Sequence, residues 1–305
     1  SLHEGFSNTT AAIWHTKSAG AKRLPLYVLM RKVVPLPKAS IVGATAFVTA
    51  AVSGDQEKLL GAYRLYVAGA AVGIGPGRGE VKTAAYKDGG VVNHTGYDAI
   101  DIGASVKGLE GSALALGLQC FHKEGDAHAM AMLEVHVEHE DGTQTIIGTD
   151  ASWHTFDATN AFGPSGHEGQ YGAPQENIDA SLMPTGWAYA AFEEDSKLWT
   201  PADQRSFPML PYAKSTLALN LTNGVMPVVF EEVAPGVHFA DFGTDMMGGL
   251  RLEVQAPPGT RFQVTLSEEL VSNTTKELLY PMRTGNMYRS IWTSTAGTSV
   301  FEHHE

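Results

Sequence analysis

Short stretches in which every second residue is apolar recur along this chain of 305 residues, and turn-forming residues separate them. Within residues 63–67, the apolar side chains fall on one side of an extended strand and the more polar ones on the other. Asp141-Gly142 separates two such stretches and is the strongest hairpin signal in the sequence. No long stretch repeats apolar residues at helical spacing. The pattern predicts an all-β protein built from β-sandwiches.

Charge and hydropathy narrow the range of partners. The net charge of −12 opposes binding to nucleic acid or to an anionic membrane, because like charges repel. The longest apolar stretch, residues 44–52, is much shorter than the roughly 20 residues that a membrane-spanning helix needs. We therefore expect neither a nucleic acid nor a membrane as partner.

The distribution of strand and turn signals predicts four segments. Residues 1–25 form an N-terminal arm, residues 26–200 a jelly-roll-like β-sandwich, residues 201–229 an extended Pro-rich linker, and residues 230–305 a second β-sandwich that is incomplete. Within the first domain, residues 154–186 are rich in Gly, Pro, Ser, Asn and Asp. A loop of that length inside a compact domain is usually functional.

The glycosylation sequons and the single cysteine provide information on whether the protein is secreted. Cys120 lies in an apolar alternation and excludes an intrachain disulfide, and we interpret it as core filling. Four Asn-x-Ser/Thr sequons indicate a secreted glycoprotein, although Thr-rich turns also produce sequons by chance. The sequence begins at Ser1 without Met, as a mature secreted protein does and as a trimmed chain would. The predicted N-glycosylation sites are Asn8, Asn93, Asn220 and Asn273.

Motifs for catalysis are weak in this sequence. A glycine run at residues 73–79 and Asp241-Phe242-Gly243 resemble kinase fragments, but no His-Arg-Asp catalytic loop lies between them. His136 and His139 are three residues apart on one strand, so they face opposite sides and form a poor metal site. Three adjacent or alternate acid pairs are interpreted as solvated surface: Glu138 with Glu140, Glu193 with Glu194, and Glu268 with Glu269. The sequence therefore predicts no catalytic residue.

Aromatic residues around the long loop are candidates for sugar contact, because flat rings stack on the faces of sugars. Tyr171 lies within the loop and is the preferred candidate. Core packing is the alternative interpretation, and we prefer it for the tryptophans, which are Trp153, Trp187 and Trp199.

The order of several fragments is similar to one known family. Residues 63–69 resemble its YxLYVNG strand, with Ala68 in place of the usual Asn. Further similar fragments are the G-x-G-P segment at 73–76, the YDxxDV segment at 97–102, TDxSW at 149–153, GExYDAR…GW from 176 to 187, and the DFG-initiated segment from 241 to 254. In this order they resemble the N-terminal, non-catalytic β-sandwich domains of bacterial-type α-L-rhamnosidases, glycoside hydrolase family 78.

The resemblance implies a carbohydrate-binding or scaffold role. In some members of the family the first domain binds rhamnose with calcium, so a rhamnose-containing glycan is the expected partner. Glu176, Asn177 and Asp179 are the candidate sugar contacts beside Tyr171, and calcium is expected at Asn177 and Asp179 because hard oxygen ligands suit that ion. The catalytic α/α toroid of the family has no counterpart in this sequence, so no catalytic residue is carried over.

Three functions stay open on the sequence alone. The first is the non-catalytic N-terminal part of a secreted α-L-rhamnosidase-like enzyme. The second is a non-catalytic extracellular glycoprotein that binds carbohydrate or polymerises through β-strand edges, with another chain or subunit completing the second sandwich. The third is a rhamnose–glucuronate lyase, which resembles the same architecture and differs in the catalytic part.

Overall fold

The computed structural model describes residues 6–7, 9–16, 25–50, 61–75, 82–85, 91–122, 129–163, 167–168, 173–174, 176–205, 210–213, 219–220, 224–246 and 248–303. The chain forms two compact units, and each is built from two chain segments. Unit 1 consists of Ser1–Thr159 and Pro184–Leu221, and unit 2 consists of Asn160–Met183 and Thr222–Glu305.

Strands dominate both units, which confirms the predicted all-β class. In the first part of the chain they are β1 Ala12–Trp14, β2 Tyr27–Pro35, β3 Ile41–Ala50, β4 Gly61–Val67, β5 Ala70–Gly75, β6 Lys82–Ala85, β7 Val91–Asp101, β8 Ala113–His122, β9 Ala131–His139, β10 Gln144–Gly148 and β11 His154–Asp157. One helical turn, α1 Gly103–Val106, follows β7.

The later strands are shorter. They are β12 His167–Glu168, β13 Ala173–Pro174, β14 Ile178–Asp179, β15 Thr200–Pro201, β16 Asp203–Arg205, β17 Leu210–Ala213, β18 Leu219–Asn220, β19 Val229–Ala234, β20 Val237–Asp241, β21 Arg251–Gln255, β22 Arg261–Leu266, β23 Leu270–Ser272, β24 Glu277–Leu278, β25 Tyr288–Thr293 and β26 Thr298–Glu302. A 3₁₀ turn spans Ala180–Leu182. Within the described residues, no helix has the length and apolar character to cross a membrane.

Unit 1 is a β-sandwich of two large sheets. The first sheet has the strand order β16-β1-β9-β3-β7-β17, with β10 added to β9 and β6 added to β7. The second has the order β15-β11-β2-β8-β4-β5-β18. Alternation places one side of each strand in the core between the sheets, and on β8 these side chains are Leu114, Leu116, Leu118 and Cys120.

Cys120 is completely buried in this core, as the sequence predicts. Burial raises the pKa of its thiol far above the ordinary value, because the apolar surroundings disfavour the thiolate. A neutral, enclosed thiol fills space and is not a nucleophile.

The predicted hairpin at Asp141-Gly142 is confirmed. Strands β9 and β10 pair in register across this turn, from Gln144 opposite Glu138 to Gly148 opposite Glu134. Gly142 has a φ of +80°, a conformation that residues with a side chain rarely adopt. The carboxylate of Asp141 accepts hydrogen bonds from the backbone N–H and the hydroxyl of Thr143, which fixes the turn.

Segments expected to be loop or linker contribute strands. Residues 154–186, expected as a long loop, contain β11, which pairs with β2 in unit 1, and β14, which pairs with β25 in unit 2. Residues 201–229, expected as an extended linker, contain three strands at sheet edges: β16 pairs with β1, β17 with β7, and β18 with β5. Extended, Pro-containing chain is compatible with edge strands because proline removes only one ladder donor.

Unit 2 is composed of smaller sheets. Its three-stranded sheet has the order β14-β25-β22, and four two-stranded pairs complete the described part: β12-β13, β19-β20, β21-β26 and β23-β24. Trp292 of β25 and Phe301 of β26 are fully buried and stack with ring centroids 5.3 Å apart. The indole N–H of Trp292 donates to the carbonyl of Glu176 over 2.9 Å, so the two chain segments of unit 2 share one core.

A buried hydrogen bond crosses the core of unit 1. The hydroxyl of Tyr63 on β4 donates to Oδ2 of Asp98 on β7 over 2.6 Å, and both side chains are buried. Burial, followed by the charge of Asp98, raises the pKa of Tyr63 well above its ordinary value. The phenol is therefore a permanent donor to this carboxylate.

Replacing Tyr63 with Phe removes that donor and is expected to lower the free energy of unfolding by about 2 kcal/mol, because the buried carboxylate loses a hydrogen bond. Tyr66→Phe on the same strand is the matched control. Its hydroxyl donates to Gln119 over 3.3 Å in a partly exposed position, so its loss should cost less than about 1 kcal/mol. Urea unfolding of both variants measures the difference, and equal losses would contradict the interpretation.

Candidate functional site

The outer face of the second sheet in unit 1 carries buried polar side chains. In a sandwich this face usually points to solvent and is polar. Here Arg31 on β2 is only 4% exposed, and Arg64 on β4 and Gln119 on β8 are also buried. Residues 184–199, which we call the covering segment, contact this face and shield Arg31 from water.

Two glycines, one in β8 and one in the turn after β4, leave room for the covering segment. A Cβ atom on Gly117 of β8 would lie 2.7 Å from Cζ3 of Trp187, which is too close for real atoms. A Cβ on Gly69 would overlap the ring of Tyr189. Gly69 lies in the turn between β4 and β5 with a φ of +90°, so both its space and its backbone require glycine.

Aromatic rings line the side of the covering segment that faces the sheet. Trp187 and Trp199 stack with centroids 6.4 Å apart, and Trp199 also contacts Phe156 and Phe192. Both tryptophans are buried, as is Trp153 in the core. The tryptophans near the predicted loop therefore pack, which is the interpretation that the sequence favours for them.

Arg31 joins the covering segment to the sheet. Its Nε donates to the carbonyl of Trp187 over 2.7 Å and its Nη2 to the carbonyl of Tyr189 over 3.0 Å. Its Nη1 forms an ion pair with Oε1 of Glu194, and the other oxygen of Glu194 contacts Nδ1 of His154 on β11. The three side chains form what we call the Arg31 cluster.

The expectation that Glu193 and Glu194 are both solvated is wrong for Glu194. Glu193 and Glu194 are expected to be solvated surface acids, and Glu193 is exposed. Glu194 instead engages both of its carboxylate oxygens, because the chain turns it toward the only charged residue of β2 on that face. A carboxylate held in this way orders the covering segment. The other two acid pairs are exposed as predicted.

On its solvent side, the covering segment exposes apolar side chains. Tyr189 is 56% exposed although one side of its ring lies on Gly69, and Leu198 is exposed to a similar degree. Because Arg31 holds the carbonyl of Tyr189, the position of this ring is fixed by the backbone. An exposed ring with a fixed position is suited to stacking on a flat ligand.

A shallow pocket of about 190 Å³ lies elsewhere in unit 1. Its lining includes Lys32 and Asp150, whose Nζ and Oδ2 atoms are 3.4 Å apart. Burial acts to raise the pKa of Asp150, but hydrogen bonds from Ser152 and the charge of Lys32 outweigh it and lower the pKa. The lining contains no aromatic ring: its other members are Thr9, Val34, Ile146, Ile147 and Gly148.

The residues proposed for sugar and calcium binding have structural roles in unit 2. Glu176 is buried. Oδ1 of Asn177 accepts a hydrogen bond from the backbone N–H of Ile291 over 2.8 Å. Oδ1 of Asp179 accepts from the backbone N–H and the hydroxyl of Ser181, so Asp179 caps the 3₁₀ turn. Tyr171 lies outside the described residues.

Calcium prefers six to eight oxygen ligands, so the donor set can be tested against that number. The Oδ1 atoms of Asn177 and Asp179 are each already hydrogen-bonded within unit 2. Across the described residues, no group of three His, Cys, Asp or Glu side chains is placed to hold a metal ion. Calcium at Asn177 and Asp179 therefore stays a prediction.

Of the four sequons, Asn273 is described with its side chain. It is exposed in the turn between β23 and β24, and its Oδ1 accepts from Nζ of Lys276 over 2.9 Å. Asn93 and Asn220 lie in β7 and β18, where the backbone is described, and Asn8 lies outside the described residues. Glycosylation stays a prediction at all four positions.

The fold and its covered outer face define a two-sheet, mainly antiparallel β-sandwich. Residues 101–223 match the model of the alpha-L-rhamnosidase N-terminal domain. The resemblance to the non-catalytic N-terminal domains of glycoside hydrolase family 78 is thereby confirmed. No curated protein sequence matches the chain.

Solved structures of three α-L-rhamnosidases share the fold. The Dictyoglumus thermophilum structure has 18% identity and a TM-score of 0.63, and the alignment covers 96% of this chain and 32% of that one. The Streptomyces avermitilis structure, complexed with L-rhamnose, has 19% identity, a TM-score of 0.61 and coverages of 92% and 26%. The Aspergillus terreus structure has 18% identity and a TM-score of 0.61, and the alignment covers 97% of this chain and 32% of that one. The chain thus spans a third or less of the length of these structures.

Glu194→Ala is expected to lower the free energy of unfolding by about 3 kcal/mol, because it leaves the buried guanidinium of Arg31 without its carboxylate. Glu193→Ala is the control: that side chain is exposed, so its removal should change stability by less than about 0.5 kcal/mol. Denaturant unfolding followed by tryptophan fluorescence compares the two. Loss of similar size in both variants would mean that the Arg31 cluster does not anchor the covering segment.

Proposed function

We propose that this chain is the N-terminal, non-catalytic part of a secreted α-L-rhamnosidase-like glycoside hydrolase. The observation that carries the proposal is the match of residues 101–223 to the alpha-L-rhamnosidase N-terminal domain. In such an enzyme, a carboxylic acid assists the leaving group and a second carboxylate activates water to release terminal α-L-rhamnose. Both carboxylates would lie in a part of the polypeptide outside this chain.

The acids of the chain support a non-catalytic role. A glycosidase needs two carboxyl groups roughly 5–10 Å apart that face one substrate. Among the described acid pairs, Glu138 with Glu140 and Glu268 with Glu269 are exposed, and Glu194 is held by Arg31 and His154. These acids therefore contribute solubility and folding stability.

Carbohydrate binding by unit 1 is the second element of the proposal. Tyr189 offers an exposed ring whose backbone is anchored by Arg31, and the half-exposed imidazole of His154 lies in the same cluster. In a ligand site, apolar and aromatic surface supplies most of the contact and a few polar groups orient the ligand. The ligand class is a rhamnose-containing glycan.

The first test is the mass of the natural polypeptide before and after enzymatic deglycosylation, combined with an assay on an aryl α-L-rhamnoside. We expect a chain several hundred residues longer than 305 that releases rhamnose, and a mass decrease on deglycosylation that indicates secretion. A polypeptide that ends near 32.6 kDa would contradict the enzyme and favour the non-catalytic glycoprotein. An unsaturated uronic acid product instead of hydrolysis would identify the lyase.

The second test concerns the sugar site. Tyr189→Ala should weaken binding of a rhamnose-containing oligosaccharide by about tenfold, because truncating a central aromatic contact costs on the order of 1.4 kcal/mol. Tyr189→Phe keeps the ring and should retain affinity. Tyr288→Ala, which removes an exposed ring from unit 2, is the matched control. Isothermal titration with and without calcium measures all variants and also tests the calcium prediction. Unchanged affinity in Tyr189→Ala would exclude this ring as the contact.

A further inference from the structure

The hairpin of β19 and β20 in unit 2 has an unusual amount of apolar surface in solvent. Of the 17 large hydrophobic side chains that are exposed in the described residues, seven lie between residues 225 and 237. Scattered exposed hydrophobic residues are normal, whereas a concentrated patch marks a surface that another structure covers.

One side of this hairpin packs on its own unit. Phe239 of β20 is buried, and Nζ of Lys276 lies 5.5 Å from the centre of its ring. Phe230 and Ala240 are paired and therefore point to the opposite side, as do Glu232 and His238. Phe230 and His238 stack there with centroids 5.5 Å apart and planes 6° from parallel.

Exposed apolar side chains continue along the chain on the N-terminal side of Phe230. Met226, Val228 and Phe230 stand at alternate positions and are 79%, 69% and 65% exposed. The backbone N–H of Val228 bonds to the carbonyl of Asp241, so the ladder with β20 extends to this residue. We call these three side chains the apolar row. A two-stranded hairpin is marginally stable alone, so a cover over the apolar row would stabilise it.

We propose that the apolar row is the docking surface for the remainder of the longer polypeptide, the part that this chain does not include. The inference rests on the proposed function. In the solved structures that share this fold, about two thirds of the chain lies outside the region aligned here, which supplies an occupant of sufficient size. The occupant is an apolar segment with basic residues, because Glu232 lies on the same side of β19 as Phe230.

Charge argues against a second copy as the occupant. If β19 paired antiparallel with its own copy about a twofold axis through Glu232, the two Glu232 side chains would lie opposite each other on neighbouring strands. Like charges directly opposite on neighbouring strands are destabilising. The net charge of −12 adds repulsion between two copies.

Hydroxyl-radical footprinting of the natural polypeptide and of the 305-residue chain tests this docking surface. Oxidation of Met226 should be about fivefold or more lower in the natural polypeptide, because a packed interface excludes water. Tyr189 in unit 1 is exposed and should be labelled equally in both, while buried Met30 should stay unlabelled.

A pair of variants adds a second measurement. Phe230→Ser should lower the Tm of the natural polypeptide and leave that of the 305-residue chain unchanged, since Phe230 is exposed in the chain alone. Val42→Ser, an exposed position on β3 of unit 1, should change neither.

The outcomes separate the two proposals. Equal labelling of Met226 in a natural polypeptide that is longer and hydrolyses rhamnosides would overturn the docking surface and leave the proposed function standing. A natural polypeptide of 305 residues would overturn both. Protection of Met226 that appears in the 305-residue chain only at high protein concentration would identify a second copy as the occupant and overturn the inference.

Discussion

The buried guanidinium of Arg31 is the interaction on which the surface of unit 1 depends. A charged group at 4% exposure is tolerated only if its donors are satisfied, and here two carbonyls and a carboxylate of the covering segment satisfy them. Because all three acceptors belong to that segment, Arg31 specifies where the segment lies as well as stabilising it. The exposed position of Tyr189, and with it the sugar-contact proposal, follows from this single side chain.

Sequence alone predicts the strands whose contacts are local or repeated. Alternation gives β2, β3, β4, β8 and β9, and the Asp141-Gly142 turn gives the β9–β10 hairpin. Residues 154–186 and 201–220 lack a clear period, yet they form strands because partners distant in the chain supply the hydrogen bonds. The stability of a short edge strand comes mainly from the sheet that it joins and little from the β-propensity of its own residues. Its sequence is therefore a weak predictor of strand structure.

The candidate site was the least predictable part, for two different physical reasons. Glu193 and Glu194 are adjacent acids, and only the tertiary position of Arg31 distinguishes the bound one from the solvated one. Both β19 and the buried strand β8 carry large apolar side chains, although Phe230 is exposed and Leu116 is not. Periodicity shows that a face is apolar, but it does not show which structure covers that face.

Because unit 2 is built from two chain segments, its first segment is synthesised well before the second segment that it packs against. Asn177 and Ile291 are hydrogen-bonded neighbours 114 residues apart, and unit 1 takes up residues 184–221 between them. At a translation rate of about 5–20 residues per second, residues 160–183 leave the ribosome roughly 6–20 seconds before their partners exist. A chaperone that binds nascent apolar chain would meet this segment, with Ile178 unprotected, while unit 1 is already folding. Unit 2 can therefore complete its core only after the stretch between residues 184 and 291 has been synthesised.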